Sequence, residues 1–425
     1  MLAVRRRLFL SCVFCLWCAA SGATLQAQSS GFIYVTNIGG ISGSGAISAY
    51  SIDNQTGGLL AVPGSPYADP GLPWSLAPDP QGRFVYVANR GSDTIGVYTI
   101  DEATGALTPV AGSPFPQDPS TNSELPVSLA VDPAGKFLFV ANYNSQTVRA
   151  YQIDQTTGAL TPAPGSPFPA ELSPQSVTVD LSGQFVYVAN GYHDSYGTIS
   201  AYSVDQNTGS LTPVPGSPFS VPIDQSKSSF PAPGAMPRSV TVHSTSSGQA
   251  LYVADSFQND IWAFDIDGTT GALALSPASP YSVPGSPFSL MAESEGQFIY
   301  TSNQDSNNAF TGSVAGYSIE ISTGFLTPIP GSPAVAGSVP VGVAVEPAGR
   351  FVYTANQGSW MNNFAGTVSA YSIDSHSGAL TPVSGSPFAV GPEPTAVAII
   401  ARGWHAGPGH GSSPPRGWQA GRGRR

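Results

Sequence analysis

Residues 84–136 read FVYVANRGSDTIGVYTIDEATGALTPVAGSPFPQDPSTNSELPVSLAVDPAGK, and variants of this text recur from Gly31 to Arg402. The opening hexapeptide FVYVAN has seven versions along the chain, which begin at Phe32, Phe84, Phe137, Phe185, Ala250, Phe298 and Phe351. Their spacing of roughly 50 residues is typical of propellers and other repeat arrays. The sequence therefore predicts one supersecondary unit that is used seven times.

Each repeat divides into four segments with the composition of β-strands, here named A to D. In the second copy these are residues 75–79, 84–89, 94–100 and 107–115. Segments A to C alternate apolar and polar residues and are rich in β-branched and aromatic side chains, as strands are. Segment D contains prolines, which cannot donate to a ladder, so D is predicted to be the outer edge. Four antiparallel strands in each of seven repeats predict an all-β fold, the seven-bladed β-propeller.

The ring is predicted to close through the two ends of the chain. The first copy begins at segment B, and the chain ends with a segment A that has no segment B after it. Pairing the C-terminal strand, from Thr395 to Ile400, with the N-terminal strand, from Phe32 to Asn37, completes the last blade. Such closure removes the free sheet edges at which β-proteins aggregate.

The turns between segments C and D carry an acidic residue at one register in every copy. The seven acids are Asp53, Asp101, Asp154, Asp205, Asp267, Glu320 and Asp374. A calcium loop needs several oxygens close together, whereas each of these turns offers one carboxylate. We interpret the acids as caps that accept hydrogen bonds from turn N–H groups.

The two ends of the chain differ in composition from the repeats. Three arginines precede an apolar run over residues 8–20 and then small residues, a pattern typical of a secretory signal peptide over residues 1–27. The propeller is assigned to residues 28–402, and the Gly-, Pro- and Arg-rich residues 403–425 are expected to be a disordered tail. We expect an exported protein, periplasmic or extracellular, with no integral membrane segment once the signal is removed.

The charge of the repeat region limits the choice of partners. Of 15 Lys and Arg residues, three lie in the leader and five from Arg402 onwards, which leaves seven against 26 acidic residues between Gln28 and Ala401, a net charge of −19. Nucleic-acid binding rests on Lys and Arg, so no nucleic-acid partner is expected. All three cysteines lie in the leader, so no disulfide is expected in the mature chain. We expect a monomer.

Only one face of the predicted propeller varies between copies. The A–B and C–D turns lie at one face and are nearly constant, while the B–C and D–A loops lie at the other and diverge. Diverging loops on a repeated scaffold are where function usually lies. The candidate ligand-binding or catalytic residues in these loops are Arg90, Tyr192, His193, Asp194 and Trp360.

The opening of the central channel is predicted from one register of the repeat. A proline starts each segment A, and the residue after it changes from copy to copy: Trp74, Val127, Gln175, Arg238, Phe288, Val341 and Thr395. Trp74, Gln175 and Arg238 are suited to contact a polar ligand. The alternative is that these seven side chains only fill the channel.

The sequence holds few groups for catalysis. It has no G-x-S-x-G, H-E-x-x-H or glycine-rich phosphate loop, and we expect no cofactor and no metal. His193 beside Asp194 is a candidate general base, or else an exposed histidine without a catalytic role. Arg90 and Arg238 have the fork that holds a carboxylate or phosphate. Tyr192 and Trp360 form a stacking wall for a sugar, or only cap the blades.

The repeat also carries the signature of a known family. It spells YVTN at residues 34–37, and the other copies share G-x-F-V-Y-V-A-N and I-S-A-Y-x-I-D-x-x-T-G-x-L. These motifs resemble those of the seven-bladed lactonase family, named for 6-phosphogluconolactonase, over Gly31 to Ala401. The resemblance implies a seven-bladed ring and lactone hydrolysis, a carboxylic ester hydrolase activity. The P-H-x-H segment of lactonase-like members has no counterpart at Pro73 or Pro126, so no catalytic residue is carried over.

Two functions therefore remain open. The first is hydrolysis of a sugar lactone, with His193 or an acid as the base and Arg238 or Arg90 holding the substrate. The second is a non-catalytic propeller whose variable face binds a glycan, a small molecule or another protein.

Overall fold

The computed structural model describes residues 29–39, 45–117, 124–191, 197–224, 234–293, 296–305, 311–359 and 363–401. Within these ranges all regular structure is β-strand, arranged as seven antiparallel sheets around a central channel. The predicted seven-bladed propeller is therefore confirmed. None of the described residues forms a helix with the length and apolar character needed to cross a membrane.

The strands of each blade run from the channel outwards. The innermost strands are β5 (Pro73–Pro78), β10 (Pro126–Val131), β15 (Pro174–Val179), β20 (Pro237–Thr245), β25 (Ser286–Ala292), β30 (Pro340–Val345) and β35 (Pro394–Ala401). The second strands are β1 (Ser29–Asn37), β6 (Phe84–Asn89), β11 (Phe137–Asn142), β16 (Phe185–Asn190), β21 (Gly248–Asp255), β26 (Phe298–Gln304) and β31 (Phe351–Asn356). The third strands are β2 (Ala46–Asp53), β7 (Thr94–Ile100), β12 (Thr147–Ile153), β17 (Thr198–Val204), β22 (Asp260–Ile266), β27 (Gly312–Glu320) and β32 (Thr367–Ile373).

Each blade ends in two short outer segments, both paired with the third strand. The first set is β3 (Leu59–Ala61), β8 (Leu107–Pro109), β13 (Leu160–Pro162), β18 (Leu211–Pro213), β23 (Leu273–Leu275), β28 (Phe325–Pro328) and β33 (Leu380–Pro382). The second set is β4 (Tyr67–Ala68), β9 (Phe115–Pro116), β14 (Phe168–Pro169), β19 (Phe219–Ser220), β24 (Tyr281–Ser282), β29 (Ala334–Ala336) and β34 (Phe388–Ala389). We number the blades by their second strand, so that blade 1 contains β1 and blade 7 contains β31.

The prediction of one continuous D strand is wrong. In blade 2 the segment 107–115 is interrupted by a turn, in which the Ser113 N–H donates to the carbonyl of Val110 at 3.0 Å. The Ser113 hydroxyl then accepts a hydrogen bond from the backbone N–H of Val97 at 2.8 Å. This side-chain acceptor takes the place of a backbone carbonyl in the ladder. Pro109 and Pro114 have no N–H to donate, which is why the edge divides here. The innermost strand also begins earlier than predicted, at Pro73.

The ends of the chain close the ring as predicted. β35 pairs antiparallel with β1, so that Phe32 faces Ile400 and Val35 faces Val397. Blade 1 is thus built from the last strand and the first four strands of the chain. Because both long edges of β1 are paired, its inner side offers no free edge to another chain.

Adjacent blades are joined by buried tyrosines as well as by apolar packing. Every residue is buried in four of the second strands, β6, β11, β16 and β31. Tyrosine hydroxyls of the second strands donate to glycine carbonyls in the C–D turn of the next blade at 2.7 to 3.0 Å: Tyr34 to Gly105, Tyr187 to Gly271, Tyr252 to Gly324, Tyr300 to Gly378 and Tyr353 to Gly57. The last of these bonds joins blade 7 to blade 1.

The six aspartates of the C–D turns cap those turns as predicted, whereas the carboxylate of Glu320 accepts from the Ser322 hydroxyl instead of a turn N–H. In blade 2, Asp101 Oδ1 accepts hydrogen bonds from the N–H groups of Ala103 at 3.1 Å and Thr104 at 2.8 Å, and from the Thr104 hydroxyl at 2.7 Å. These bonds to the charged form lower the pKa of Asp101. In the part of the chain that the structure describes, no cluster of three or more metal-binding side chains occurs.

Candidate functional site

A β-bulge at the channel mouth sets the direction of one side chain in every blade. In blade 2, Pro73 pairs with Asn89 and Ser75 pairs with Ala88, so Trp74 is the extra residue. The same shift occurs in each innermost strand, and the extra residues are Trp74, Val127, Gln175, Arg238, Phe288, Val341 and Thr395. Bulges of this kind redirect side chains and are frequent beside active sites.

The seven bulge residues surround one cavity. Its volume is about 340 Å³, and every innermost strand contributes to its wall. The register that the sequence singled out thus lines the mouth of the channel in all seven blades. The backbone before the bulge is unusual too, because Leu72, Leu125 and Val339 have φ values of 56°, 52° and 53°. Since this left-handed turn recurs from blade to blade, it belongs to the scaffold rather than to one ligand contact.

A second layer of the channel wall was missed by the sequence analysis. The residue after the bulge is serine in five blades: Ser75, Ser128, Ser176, Ser239 and Ser289. Each of the last four accepts a hydrogen bond from the backbone of the next blade, for example Val177 N to Ser128 Oγ at 3.1 Å. The signal was present, since serine follows the variable residue in five copies of the repeat. We call these five residues the serine ring.

Among the described residues that line the cavity, Arg238 has the only charged side chain. Its Nη1 donates to Oε1 of Gln175 at 3.0 Å, and its guanidinium carbon lies 5.0 Å from the centre of the Phe288 ring. Its Nε is buried and has no hydrogen-bond partner within the described chain. Burial lowers the pKa of Arg238, because the charged form loses water that no carboxylate replaces.

Gln175 fixes the orientation of Arg238. Its Nε2 donates to the carbonyl of Gly191 at 3.3 Å, which leaves its Oε1 to accept from the arginine. The three bulge residues of blades 4 to 6, Gln175, Arg238 and Phe288, therefore form one connected group. The sequence could identify these positions, but their contacts depend on which blades are neighbours and on the rotamers.

Arg90 and Trp74 form a second arginine–aromatic pair at the mouth. The guanidinium carbon of Arg90 lies 4.3 Å from the centre of the Trp74 ring, within the range of a cation–π contact. Trp74 lines the cavity, whereas Arg90 lies behind it at the start of a B–C turn. All three ligand-binding candidates of segment A thus take part in an arginine contact, since Trp74 stacks with Arg90 and Gln175 is hydrogen-bonded to Arg238.

The remaining candidates fall outside the described residues. Tyr192, His193 and Asp194 belong to the segment 192–196, and Trp360 belongs to 360–362. Their proposed roles as base and as stacking wall stay predictions. Within the described ranges, no aspartate, glutamate or histidine lines the cavity.

The sequence matches the family described as Lactonase, 7-bladed beta-propeller, over residues 75–171, 225–335 and 292–399. The chain belongs to this family. Among proteins with curated descriptions, none matches the chain.

Several solved structures share the fold at low sequence identity. A Bacteroides fragilis protein provisionally assigned as a 6-phosphogluconolactonase is 19% identical, with a TM-score of 0.64 over 88% of this chain and 99% of that one. A similarly assigned protein of Bacteroides uniformis is 16% identical, with a TM-score of 0.66 over 88% and 100%. The periplasmic gluconolactonase of Pseudomonas aeruginosa is 19% identical, with a TM-score of 0.65 over 87% and 99%. At these identities the likeness is one of fold.

Proposed function

We propose that the channel mouth binds a small carboxylate-bearing molecule and that Arg238 is its anchor. The observation that carries this proposal is the buried Nε of Arg238, which has no acceptor in the described part of the chain. In the part of the cavity wall that the structure describes, no acidic side chain neutralises the guanidinium. A buried donor without a partner costs about 1 to 3 kcal/mol, and a ligand oxygen at this position would remove that cost.

The guanidinium geometry favours a carboxylate over other anions of its size. Gln175 occupies Nη1, so the edge formed by Nε and Nη2 is left for a ligand. The two N–H groups of this edge are parallel and match the two oxygens of a carboxylate. Stacking on Phe288 holds the plane of the guanidinium and so reduces the entropy lost on binding.

A second candidate function is hydrolysis of a sugar lactone, which membership of the lactonase family favours. In this reaction water adds to the lactone carbonyl carbon while a base takes its proton. The ring C–O bond then breaks, and the leaving oxygen takes up a proton to give a hydroxy acid. Arg238 would hold the carbonyl oxygen as it gains negative charge. The base would come from outside the cavity wall described above.

One contact supports His193 as that base. Gln175, which holds Arg238, is bonded to the carbonyl of Gly191, and Gly191 directly precedes the segment that contains His193 and Asp194. A base in residues 192–196 would therefore follow directly, in the sequence, the residue whose carbonyl holds Gln175 and so supports Arg238. Hydrolysis by this base requires the histidine to be neutral, so the rate is expected to rise with pH as the imidazole loses its proton.

The test is calorimetric titration of the purified protein with D-gluconate, followed by assay of D-glucono-δ-lactone. We expect Arg238→Gln to weaken gluconate binding roughly 10- to 100-fold, as loss of a charged hydrogen bond does. Lys136→Gln removes the same charge from the opposite face and should leave binding unchanged. Equal affinity of the wild type and Arg238→Gln would contradict the proposal. Lactone turnover that is lost in His193→Ala would establish the hydrolytic function.

We also propose that the protein is exported, because residues 1–27 have the order of charge, apolar run and small residues of a signal peptide. Expression of the full chain and sequencing of the N-terminus of the product outside the cytoplasm tests this. A mature N-terminus at residue 24 or 28 is expected, whereas a full-length product that stays in the cytoplasm would contradict it.

A further inference from the structure

The channel-mouth cavity is polar on one side and apolar on the other. On the side of blades 4 and 5, its wall includes Gln175, Ser176, Thr178, Arg238, Ser239 and Thr241. We call these six residues the polar half. On the side of blades 7 and 1, the wall consists of Val341, Gly342, Val343, Thr395, Ala396 and Val397, which we call the apolar half. In the wall as the structure describes it, the hydroxyl of Thr395 is the only polar side-chain group of the apolar half.

The hydroxyl of Thr395 is used inside the protein. It donates to the carbonyl of Pro73 at 3.1 Å, and its oxygen lies 2.9 Å from the hydroxyl oxygen of Thr36. A hydroxyl has one hydrogen to donate, and here that hydrogen is already bonded. Within the described residues, the apolar half therefore offers a ligand apolar contact surface and no free side-chain donor.

At the level of the bulge residues, polar groups for a ligand are few. Gln175 uses both ends of its amide, because Nε2 donates to the carbonyl of Gly191 and Oε1 accepts from Arg238. Apart from Thr395, the other bulge residues are Trp74, Val127, Phe288 and Val341, of which only the indole carries a polar atom. The mouth therefore suits one anionic group and offers mainly apolar surface to the rest of a ligand. Ligand hydroxyls left there without partners weaken binding.

The apolar surface begins directly beside Arg238. Its guanidinium carbon lies 5.0 Å from the centre of the Phe288 ring in blade 6. Phe288 in turn packs against the buried cluster to which Val341 of blade 7 belongs. Because Nη1 of Arg238 is bonded to Gln175 on the side of blade 4, a carboxylate on the remaining edge has its body on the side of blades 6 and 7. The anchor and the apolar half line one cavity of about 340 Å³, so a small ligand contacts both.

The hydroxyl groups of the polar half suit the carboxylate rather than the body of the ligand. Ser239 follows Arg238 in the chain, and Ser176 follows Gln175. Each of these serine hydroxyls accepts a backbone N–H of the next blade at 3.3 Å and keeps its own hydrogen to donate. A carboxylate has about four acceptor sites, more than the guanidinium edge uses. The two serines therefore add donors on the side of the anchor.

From these observations we infer that the cavity selects a short monocarboxylate with an apolar body over a polyhydroxylated acid of the same length. The carboxylate binds Arg238, and the body packs on Phe288 and the apolar half. Burial of CH₂ groups on this surface favours binding, whereas a buried hydroxyl without a partner opposes it. The inference rests on the proposed function, because Arg238 anchors the carboxylate in both.

The experiment compares two acids that share one carbon skeleton. Hexanoate and D-gluconate have the same six-carbon chain and one carboxylate, but every other carbon of gluconate carries a hydroxyl. We expect calorimetry to give at least a 10-fold tighter dissociation constant for hexanoate. Arg238→Gln should weaken the binding of both acids, because both use the same anchor.

A pair of matched variants tests which side of the mouth holds the body. Val341 and Val127 occupy the same register in blades 7 and 3, and each is 8% exposed. Val341→Thr keeps the shape of the side chain but places a hydroxyl in the apolar half, so it should lower the preference for hexanoate at least 3-fold. Val127→Thr makes the same change away from the apolar half and should retain the preference of the wild type.

The outcomes separate this inference from the proposed function. If gluconate binds as tightly as hexanoate, or if the two threonine variants change the preference equally, the apolar subsite is wrong and the carboxylate site stands. If neither acid binds, the proposed function fails as well. Should Val341→Thr fail to fold, Val341→Ala serves instead, because it removes contacts with the body and should weaken hexanoate alone. Equal weakening of both acids by Val341→Ala would overturn the inference.

Discussion

Asp255 stands where the six other blades have asparagine, at the end of the second strand. Its side chain is fully buried, and Oδ1 accepts hydrogen bonds from the backbones of Met236, Phe257 and Gln258 at 3.0 to 3.2 Å. Oδ2 has no partner within the described residues. Burial, and to a smaller degree the facing Asp260, raises the pKa of Asp255.

We therefore expect Asp255→Asn to stabilise the protein at neutral pH by about 1 kcal/mol or more. In blade 7 the equivalent Asn356 donates from Nδ2 to Thr367 at 3.1 Å, so the amide suits this site. Below about pH 3.9 both folded and unfolded Asp255 are protonated and the gain vanishes. As the pH rises, the unfolded state loses its proton first, so the gain grows. Urea unfolding at pH 3.5 and pH 7 measures it.

The matched control for this substitution is Asp265→Asn, since Asp265 lies in the same blade and is exposed. It should leave the free energy of unfolding within about 0.5 kcal/mol of the wild type. A destabilised Asp255→Asn variant at pH 7 would mean that the carboxylate is needed in its ionised form.

His243 lies in β20 of blade 5, at the register where blades 2, 3, 4, 6 and 7 have an acid at the A–B turn, and it is buried with 4% exposure. Neither ring nitrogen has a partner within the described ranges, and burial lowers the pKa of the imidazole. A lowered folded pKa means that stability is intact above the unfolded pKa of about 6.5 and is lost as the pH falls below it. The loss is about 1.4 kcal/mol for each unit by which burial lowers the pKa.

We expect His243→Asn to reduce this loss of stability between pH 7 and pH 5, as measured by thermal unfolding. His376→Asn, at an exposed histidine of a C–D turn, should retain the pH dependence of the wild type. An unchanged pH profile in His243→Asn would show that another group causes the acid sensitivity.

At the scale of single residues, the sequence showed which positions differ between copies but not what surrounds them. The mouth register was predictable because a proline marks the start of each innermost strand. The stacking of Arg238 on Phe288 was not, because it joins two blades and depends on both rotamers. The buried Oδ2 of Asp255 was also beyond prediction, since burial follows from tertiary packing.

At the scale of elements, the serine ring is a directional chain of four hydrogen bonds, with breaks within the described residues at Ser75, Gly342 and Ala396. Each bond runs from a backbone N–H of one blade to the serine of the blade before it, as from Val240 to Ser176 at 3.3 Å. Gly342 of blade 7 and Ala396 of blade 1 occupy the serine positions at two of these breaks. These two blades flank the point where the chain closes.

We predict that Gly342→Ser extends the ring. A Cβ at Gly342 would lie 3.4 Å from the backbone nitrogen of Val397, an ordinary contact, so the hydroxyl could accept from that N–H. The hydrogen bond should add about 0.5 to 1.5 kcal/mol to the free energy of unfolding. Gly342→Ala is the matched control, because it gains only the reduced backbone entropy of about 0.5 to 1 kcal/mol. If serine is no more stable than alanine, the added hydrogen bond does not form.

The first and last residues of a strand were predictable only where strands on both of its sides form regular ladders with it. β6 and β7 begin and end where the sequence predicts, because both edges of each are paired. The outer segments of each blade are paired on one side only. Prolines and a serine side chain can therefore divide the outer edge into two short strands. No alternation of residues signals that division in advance.

At the scale of the whole molecule, ring closure is strengthened by Tyr353, whose hydroxyl donates to Gly57 at 2.8 Å between blades 7 and 1. We expect Tyr353→Phe to destabilise the protein by about 1 kcal/mol or more, because the buried carbonyl of Gly57 loses its partner. Chemical unfolding measures the difference.

Tyr86 of blade 2 supplies the control, since its hydroxyl is buried without a partner within the described chain. Tyr86→Phe should leave the free energy of unfolding unchanged or raise it slightly. Blade 3 already has a phenylalanine, Phe139, at the equivalent position. Equal losses in the two variants would mean that the effect comes from packing rather than from the bond across the seam.

The pairing of the first strand with the last strand has a consequence for biosynthesis. Thr36 and Thr395, bonded through their hydroxyls across the closing strands, are 359 residues apart in the chain. At roughly 5 to 20 residues per second, the ribosome needs about 20 to 70 s between them. During this time β1 has one unpaired edge, so a stalled or shortened product would present that edge to other nascent chains. Blade 1 is begun first and finished last.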